Sequence, residues 1–162
     1  MKKIGTEIKW ALILTGAGLA WIFLERVSGL HGNHIDKHAF YTKIITILAV
    51  AIYIFALLDK KNRDYCGKIS YLQAVVSGLI ITAFITLISP LAQLIASNYI
   101  SPDFFHNMIA YQMSHGLLTQ PQAENFYSLD SYIIQGLLGI PFGGLVTSVV
   151  AAFFIRNKVK ST

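Results

Sequence analysis

The chain holds four apolar runs of membrane-crossing length, at roughly 8–28, 39–58, 71–96 and 132–155. A helix needs about 20 apolar residues to span the hydrocarbon core. Lipid offers no partner to an unpaired backbone group, so such runs fold as helices. Charge agrees with this, because only 13% of the residues are charged and 54% are hydrophobic. A soluble domain carries about 25% charged and roughly 45–50% apolar residues. The expected fold is all-α: one four-helix membrane domain over residues 1–162. The first run follows Met1-Lys2-Lys3, as a signal peptide would. It continues through WALILTGAGLAWIFL to Leu24 without a small-residue cleavage site, so it is read as a helix that stays.

The basic residues orient the four spans. Lys2, Lys3 and Lys9 lie at or before the start of the first, and Lys60, Lys61, Arg63 and Lys68 lie between the second and third. Arg156, Lys158 and Lys160 follow the fourth, so ten of the 13 basic residues fall on one side. The other side has Arg26, Lys37 and Lys43, and the long segment 97–131 has no Lys or Arg at all. Lys and Arg accumulate on the cytoplasmic side of membrane proteins. Both termini are therefore expected in the cytoplasm, with 29–38 and 97–131 facing outward. Tyr71, Tyr99 and Tyr132 fall at span ends, where amphipathic rings settle. The net charge of +5 does not point to nucleic acid, because the cations sit between apolar runs and not on an aromatic-lined patch. A single cysteine, Cys66, excludes a disulfide within the chain and a cysteine-rich metal site.

Helices in lipid associate through close backbone approach and polar contacts. Ala74, Gly78, Thr82 and Thr86 form a small-residue row on the third span, and Gly139, Gly143, Thr147 and Ala151 form one on the fourth. Both rows are expected at helix contacts, either inside one bundle or between copies of the chain. Pro90 and Pro141 are expected to kink their helices. Outside the spans, Ser101-Pro102-Asp103 reads as a helix start and Gly116 as its end. Thr119-Gln120-Pro121-Gln122 fits a capping box that opens a second short helix. The two make a helical hairpin on the outer face, its apolar stripe of Phe104, Phe105, Met108, Ile109 and Met113 resting on lipid or on the bundle.

The densest polar motif is His31-Gly32-Asn33-His34-Ile35-Asp36-Lys37-His38. Imidazole is a good ligand for zinc, copper or nickel. A helix starting near Asn33 puts His34 and His38 on one face, with His31, His106 or His115 as candidates for a third ligand. His106 and His115 are about half a turn out of phase, so only one of them can join. The competing reading is a turn between two helices, with Gly29 and Gly32 in the turn and Asn33 as the cap. The turn is the reading the sequence favours, which leaves a divalent transition metal as the alternative and no cofactor as the main expectation. Glu25 and Lys43 are expected at similar depth on antiparallel helices, where they can form an ion pair.

Gly67-Lys68-Ile69-Ser70-Tyr71, followed by Gln73-Ala74 and Gly78, is similar to the entry into the third helix of a bacterial membrane family, domain of unknown function 4199. Tyr99-Ile100-Ser101-Pro102-Asp103-Phe104, Gly116-Leu117-Leu118-Thr119 and the basic end at Arg156-Asn157-Lys158 resemble it as well. The resemblance implies a four-helix inner-membrane protein with an outer helical hairpin, and it implies no activity. Neither a phosphate loop, nor a His-Glu-x-x-His pair, nor a nucleophile elbow is present, so no catalysis is expected. The sequence thus points to a membrane protein that acts by association in the bilayer, as a homo-oligomer or with a membrane-protein partner. The alternative is a small transporter or binding protein for a metal ion or other solute that uses the outward histidines.

Overall fold

The computed structural model describes residues 4–157. Lys2, Lys3, Lys158 and Lys160 of the charge pattern lie outside the described residues. The elements are α1 (Gly5–Val27), α2 (His38–Asp64), α3 (Tyr71–Ile95), α4 (Phe104–Ser114), α5 (Gln120–Phe126) and α6 (Leu129–Ile155). α1, α2, α3 and α6 are long and apolar enough to cross a membrane. They match the four apolar runs, with α2 extended at its end by the polar residues Asp59–Asp64. Large apolar side chains such as Phe40, Ile47, Leu87, Leu138, Phe142 and Phe154 point outward, as they do where the surrounding medium is lipid.

Contacts between helix ends give the direction of each helix. Trp10 Nε1, early in α1, donates to Asp59 Oδ2 near the end of α2 at 2.8 Å. The guanidinium of Arg26, late in α1, reaches the Ile100 carbonyl beyond α3. Asn157, just past α6, exchanges two 3.0 Å hydrogen bonds with the backbone of Ile69, just before α3. Successive long helices therefore alternate in direction. One end of the bundle carries the first and last described residues, 4 and 157, and the α2–α3 turn (the terminal end), and the other carries the connections 28–37 and 96–128 (the loop end).

α3 is the central helix and packs most extensively on α6. Ser70 and Gln73 form the capping box that starts α3. Ala74, Gly78 and Thr82 are buried on its inner face, as the four-residue row predicts. A Cβ on Gly78 would lie 2.5 Å from Ser148 Oγ and 2.7 Å from Tyr53 Oη, so only glycine fits. The Tyr53 hydroxyl bonds the Gly78 carbonyl, Thr82 Oγ1 at 3.0 Å and Ser148 Oγ at 2.6 Å, and so ties α2, α3 and α6 in mid-bundle. On α6 the expected row divides, with Ala151 buried in the core and its two glycines away from α3. Gly139 and Gly143 are exposed, and a Cβ on either meets nothing within 4 Å. Gly144 and Ser148 meet α3 instead, with Gly144 against the side chain of Thr82. The packed face is displaced by one residue, a rotation of about 100° on a helix with 3.6 residues per turn. Pro90 and Pro141 stand inside helices that continue through them.

The terminal end is closed by ion pairs. Lys60 Nζ sits 2.8 Å from Glu7 Oε2 and 2.6 Å from Asp64 Oδ2, with the Lys60 and Glu7 side chains each 2% exposed. Thr6 Oγ1 adds a 3.1 Å bond to Asp64. Beside this group Lys9, Trp10 and Arg63 surround Asp59. Lys9 and Lys60 thus hold α1 to α2 at this end.

Candidate functional site

The loop end is built on the end of α1. After Val27 the chain turns at Gly29, whose φ of +82° is the left-handed conformation glycine adopts without strain. The Leu30 N–H then bonds back to the Glu25 carbonyl at 2.9 Å, folding residues 30–34 over the helix end. A short 3₁₀ turn, Ile35–Lys37, leads into α2 at His38. His34 therefore stands ahead of that turn and not on α2, so His34 and His38 do not share a helical face. Asn33 caps nothing.

The fold instead gathers His31, His38 and Glu25. One ligand atom from each lies within 4.8 Å of the other two. His31 Nε2 is 3.4 Å and His38 Nε2 3.9 Å from Glu25 Oε2. The side chains are 7%, 14% and 4% exposed respectively, so this is an interior polar site. The other carboxylate oxygen is fixed from two helices. Trp21 Nε1, one turn earlier on α1, donates to Oε1 at 2.8 Å, and Thr42 Oγ1, one turn past His38, donates to the same atom. Thr42 Oγ1 also lies 3.2 Å from His38 Nε2. His31 is held at its far nitrogen, with Nδ1 2.8 Å from Ser101 Oγ.

Ser101 reaches the site because α3 ends in a π-helical turn, Ala96–Ile100. Its side chain is committed to His31 and does not cap the next helix; α4 begins at Phe104 without a side-chain cap. The expected start at Ser101 thus moves inward by a turn. Asn107 on α4 donates to the His31 carbonyl at 2.7 Å and secures the loop to α4. Phe104, buried, lays its ring 4.6 Å from that of His31 and 5.1 Å from that of His38 and shields the group. The remainder of α4 and α5 follows the sequence reading: Gly116, at φ +64°, ends α4, and the Thr119–Gln122 capping box opens α5. Behind Phe104, burial pushes the Tyr127 hydroxyl up from the ordinary tyrosine range, against a 2.9 Å hydrogen bond from Gln112 Nε2.

A cavity of about 190 Å³ opens onto Glu25, His31 and His38, with Gln93, Phe104 and Tyr132 among its other walls. His34, His106 and His115 are all exposed and outside it. Lys43 is exposed and does not pair with Glu25. The predicted depth match between α1 and α2 holds, but the face of α2 turned toward α1 carries His38 and Thr42, and Lys43 is the next residue around the helix. Trp21, Thr42 and Ser101 were not foreseen. For the first two a signal exists, since Trp21/Glu25 and His38/Thr42 are each four residues apart on one helix face.

A family model described as "Protein of unknown function (DUF4199)" matches residues 9–157. No curated protein and no solved structure matches the chain.

Proposed function

The chain belongs to the DUF4199 family of proteins of unknown function, and from that premise we propose that it is a membrane protein that binds a small cationic solute in the Glu25 cavity. In this reading it lies in a bacterial inner membrane as one four-helix domain. Both termini are cytoplasmic and the loop end, with α4 and α5, faces outward. The cation asymmetry supports that orientation. Reporter fusions test it: a cytoplasm-dependent fluorescent protein should be active at either terminus, and an exported phosphatase inactive there.

One observation carries the binding role. Glu25 is a 4% exposed carboxylate that no Lys or Arg pairs with in the described residues, and it opens on a cavity. A buried carboxylate is costly unless a cation matches it, and intramembrane ionisable groups mark functional sites. Thermal unfolding of the purified protein in mild detergent tests this with divalent transition metals, Mg²⁺, Ca²⁺ and organic amines. At least one of these should raise the melting temperature of the wild type and leave Glu25→Gln unchanged. A flat response to all of them overturns the reading.

A second reading, association between copies, is supported by the exposed Gly139 and Gly143. A Cβ at either glycine meets nothing within 4 Å, and small residues of this kind allow close helix approach in lipid. Mass measurement in detergent should then give a homo-oligomer that Gly143→Leu dissociates. A monomeric wild type removes this reading.

A further inference from the structure

We propose that the solute is a divalent transition metal ion of the zinc type, held by Nε2 of His31, Nε2 of His38 and Oε2 of Glu25. This rests on the reading of the Glu25 cavity as a cation site. Zinc binds nitrogen and carboxylate oxygen at about 2.0–2.2 Å, which sets two ligand atoms of a tetrahedral site about 3.4 Å apart. The His31–Glu25 separation is 3.4 Å and the His38–Glu25 separation 3.9 Å. A direct N–H···O⁻ bond to a carboxylate would instead draw the atoms to about 2.7–2.9 Å. The His31 spacing suits an ion between the atoms better than a bond across them, and His38 Nε2, 3.2 Å from Thr42 Oγ1, would exchange that hydroxyl for the ion.

The surroundings suit a ligand set too. A metal-binding histidine is usually held at its other nitrogen, and the bound carboxylate is itself hydrogen-bonded. Ser101 holds His31 Nδ1 at 2.8 Å, while Trp21 and Thr42 fix Glu25 Oε1 and leave Oε2 to the histidines. Two imidazoles and one carboxylate favour a borderline transition metal over Ca²⁺ or Mg²⁺, which prefer all-oxygen shells. Three protein ligands leave a fourth position, on the cavity side, for water or an exchanging ligand. His34 has no part in the site, so the metal pair the sequence suggests, His34 with His38, and this set make opposite predictions.

Zn²⁺ titration by calorimetry and Co²⁺ absorption, on chelator-treated full-length protein in mild detergent, tests the proposal. One ion per chain should bind, with Co²⁺ giving the intense visible bands of a four-coordinate site. His31→Ala, His38→Ala and Glu25→Gln should abolish those bands, and His34→Ala should bind as the wild type does. Ser101→Ala, which keeps all three ligands, should weaken binding about 10- to 100-fold. Equal binding by wild type and His31→Ala overturns the proposal, as does a loss of the bands in His34→Ala. If an organic amine stabilises wild type but not Glu25→Gln while Zn²⁺ and Co²⁺ do not bind, the metal falls and the cation cavity stands. If neither amine nor metal acts, both fall.

Discussion

Glu7 and Glu25 sit near opposite ends of α1, both buried, and the chain surrounds them differently. Glu7 faces Lys60, a permanent cation at 2.8 Å whose other side is taken by Asp64 at 2.6 Å. Glu25 faces two histidines at 3.4 and 3.9 Å, groups that carry charge only when protonated. The nearest permanent cations at that end are turned elsewhere: Arg26 goes to the Ile100 carbonyl, and Lys37 and Lys43 are exposed. The terminal end is electrically complete within the chain. At the loop end Glu25 has no permanent cation beside it among the described residues, and a cavity opens onto it.

The strongest way to break this comparison is to remove Lys60. Lys60→Met leaves Glu7 and part of Asp64 buried without their cation, and breaking one side of a buried pair costs about 3–5 kcal/mol. Unfolding of the variant in a detergent titration should show a loss of that size. Glu7→Gln combined with Lys60→Met should recover a large part of it, because no charge is then stranded. A single-variant loss below about 1 kcal/mol would mean that the terminal end is not a clamp of this kind.

Glu25→Gln is the matching change at the other end, and its effect on metal-free stability should be much smaller, within about 1 kcal/mol. Glutamine keeps an acceptor for Trp21 Nε1 and Thr42 Oγ1, and its amide can donate to a neutral histidine nitrogen. The same unfolding measurement, after treatment with chelator, compares the two variants directly. A loss near that of Lys60→Met would make the loop-end cluster a second structural clamp and erase the contrast.

This asymmetry was only partly legible in the sequence. The four helices could be read because bilayer thickness fixes their length. The α3 row could be read because Ala74, Gly78 and Thr82 repeat at one helical spacing. Which glycine of α6 meets α3 is not legible, because Gly143 and Gly144 are adjacent and spacing cannot choose between them; Ser148, which bonds Tyr53, decides it. At the loop end the sequence marks His31, His38 and Glu25, but it joins His38 to His34 and Glu25 to Lys43, whereas the fold brings the three together. Glu25 reaches His38 through a turn at Gly29 and the pairing of α1 with α2, and Ser101 arrives from 70 residues away through the π-helical turn. None of these long-range approaches leaves a local pattern. The terminal-end pairs Asp59/Arg63 and Lys60/Asp64 do have one, a four-residue spacing on α2.

The mildest test distinguishes buried from exposed charge within the terminal end itself. Arg63 bonds Asp59 Oδ1 through Nε at 2.7 Å, yet its side chain is 65% exposed, and Lys9 and Trp10 hold the other oxygen of Asp59. Exposed pairs one helical turn apart contribute about 0.3–0.5 kcal/mol, because water screens them and ordering a long side chain costs entropy. Arg63→Ala should therefore lower stability by no more than that, and added salt should shrink the difference further. Lys60→Met should keep most of its loss in the same salt, since its partner Glu7 is shielded from solvent. Equal salt sensitivity of the two variants would place Lys60 in the same screened environment as Arg63 and remove the burial on which the contrast with Glu25 depends.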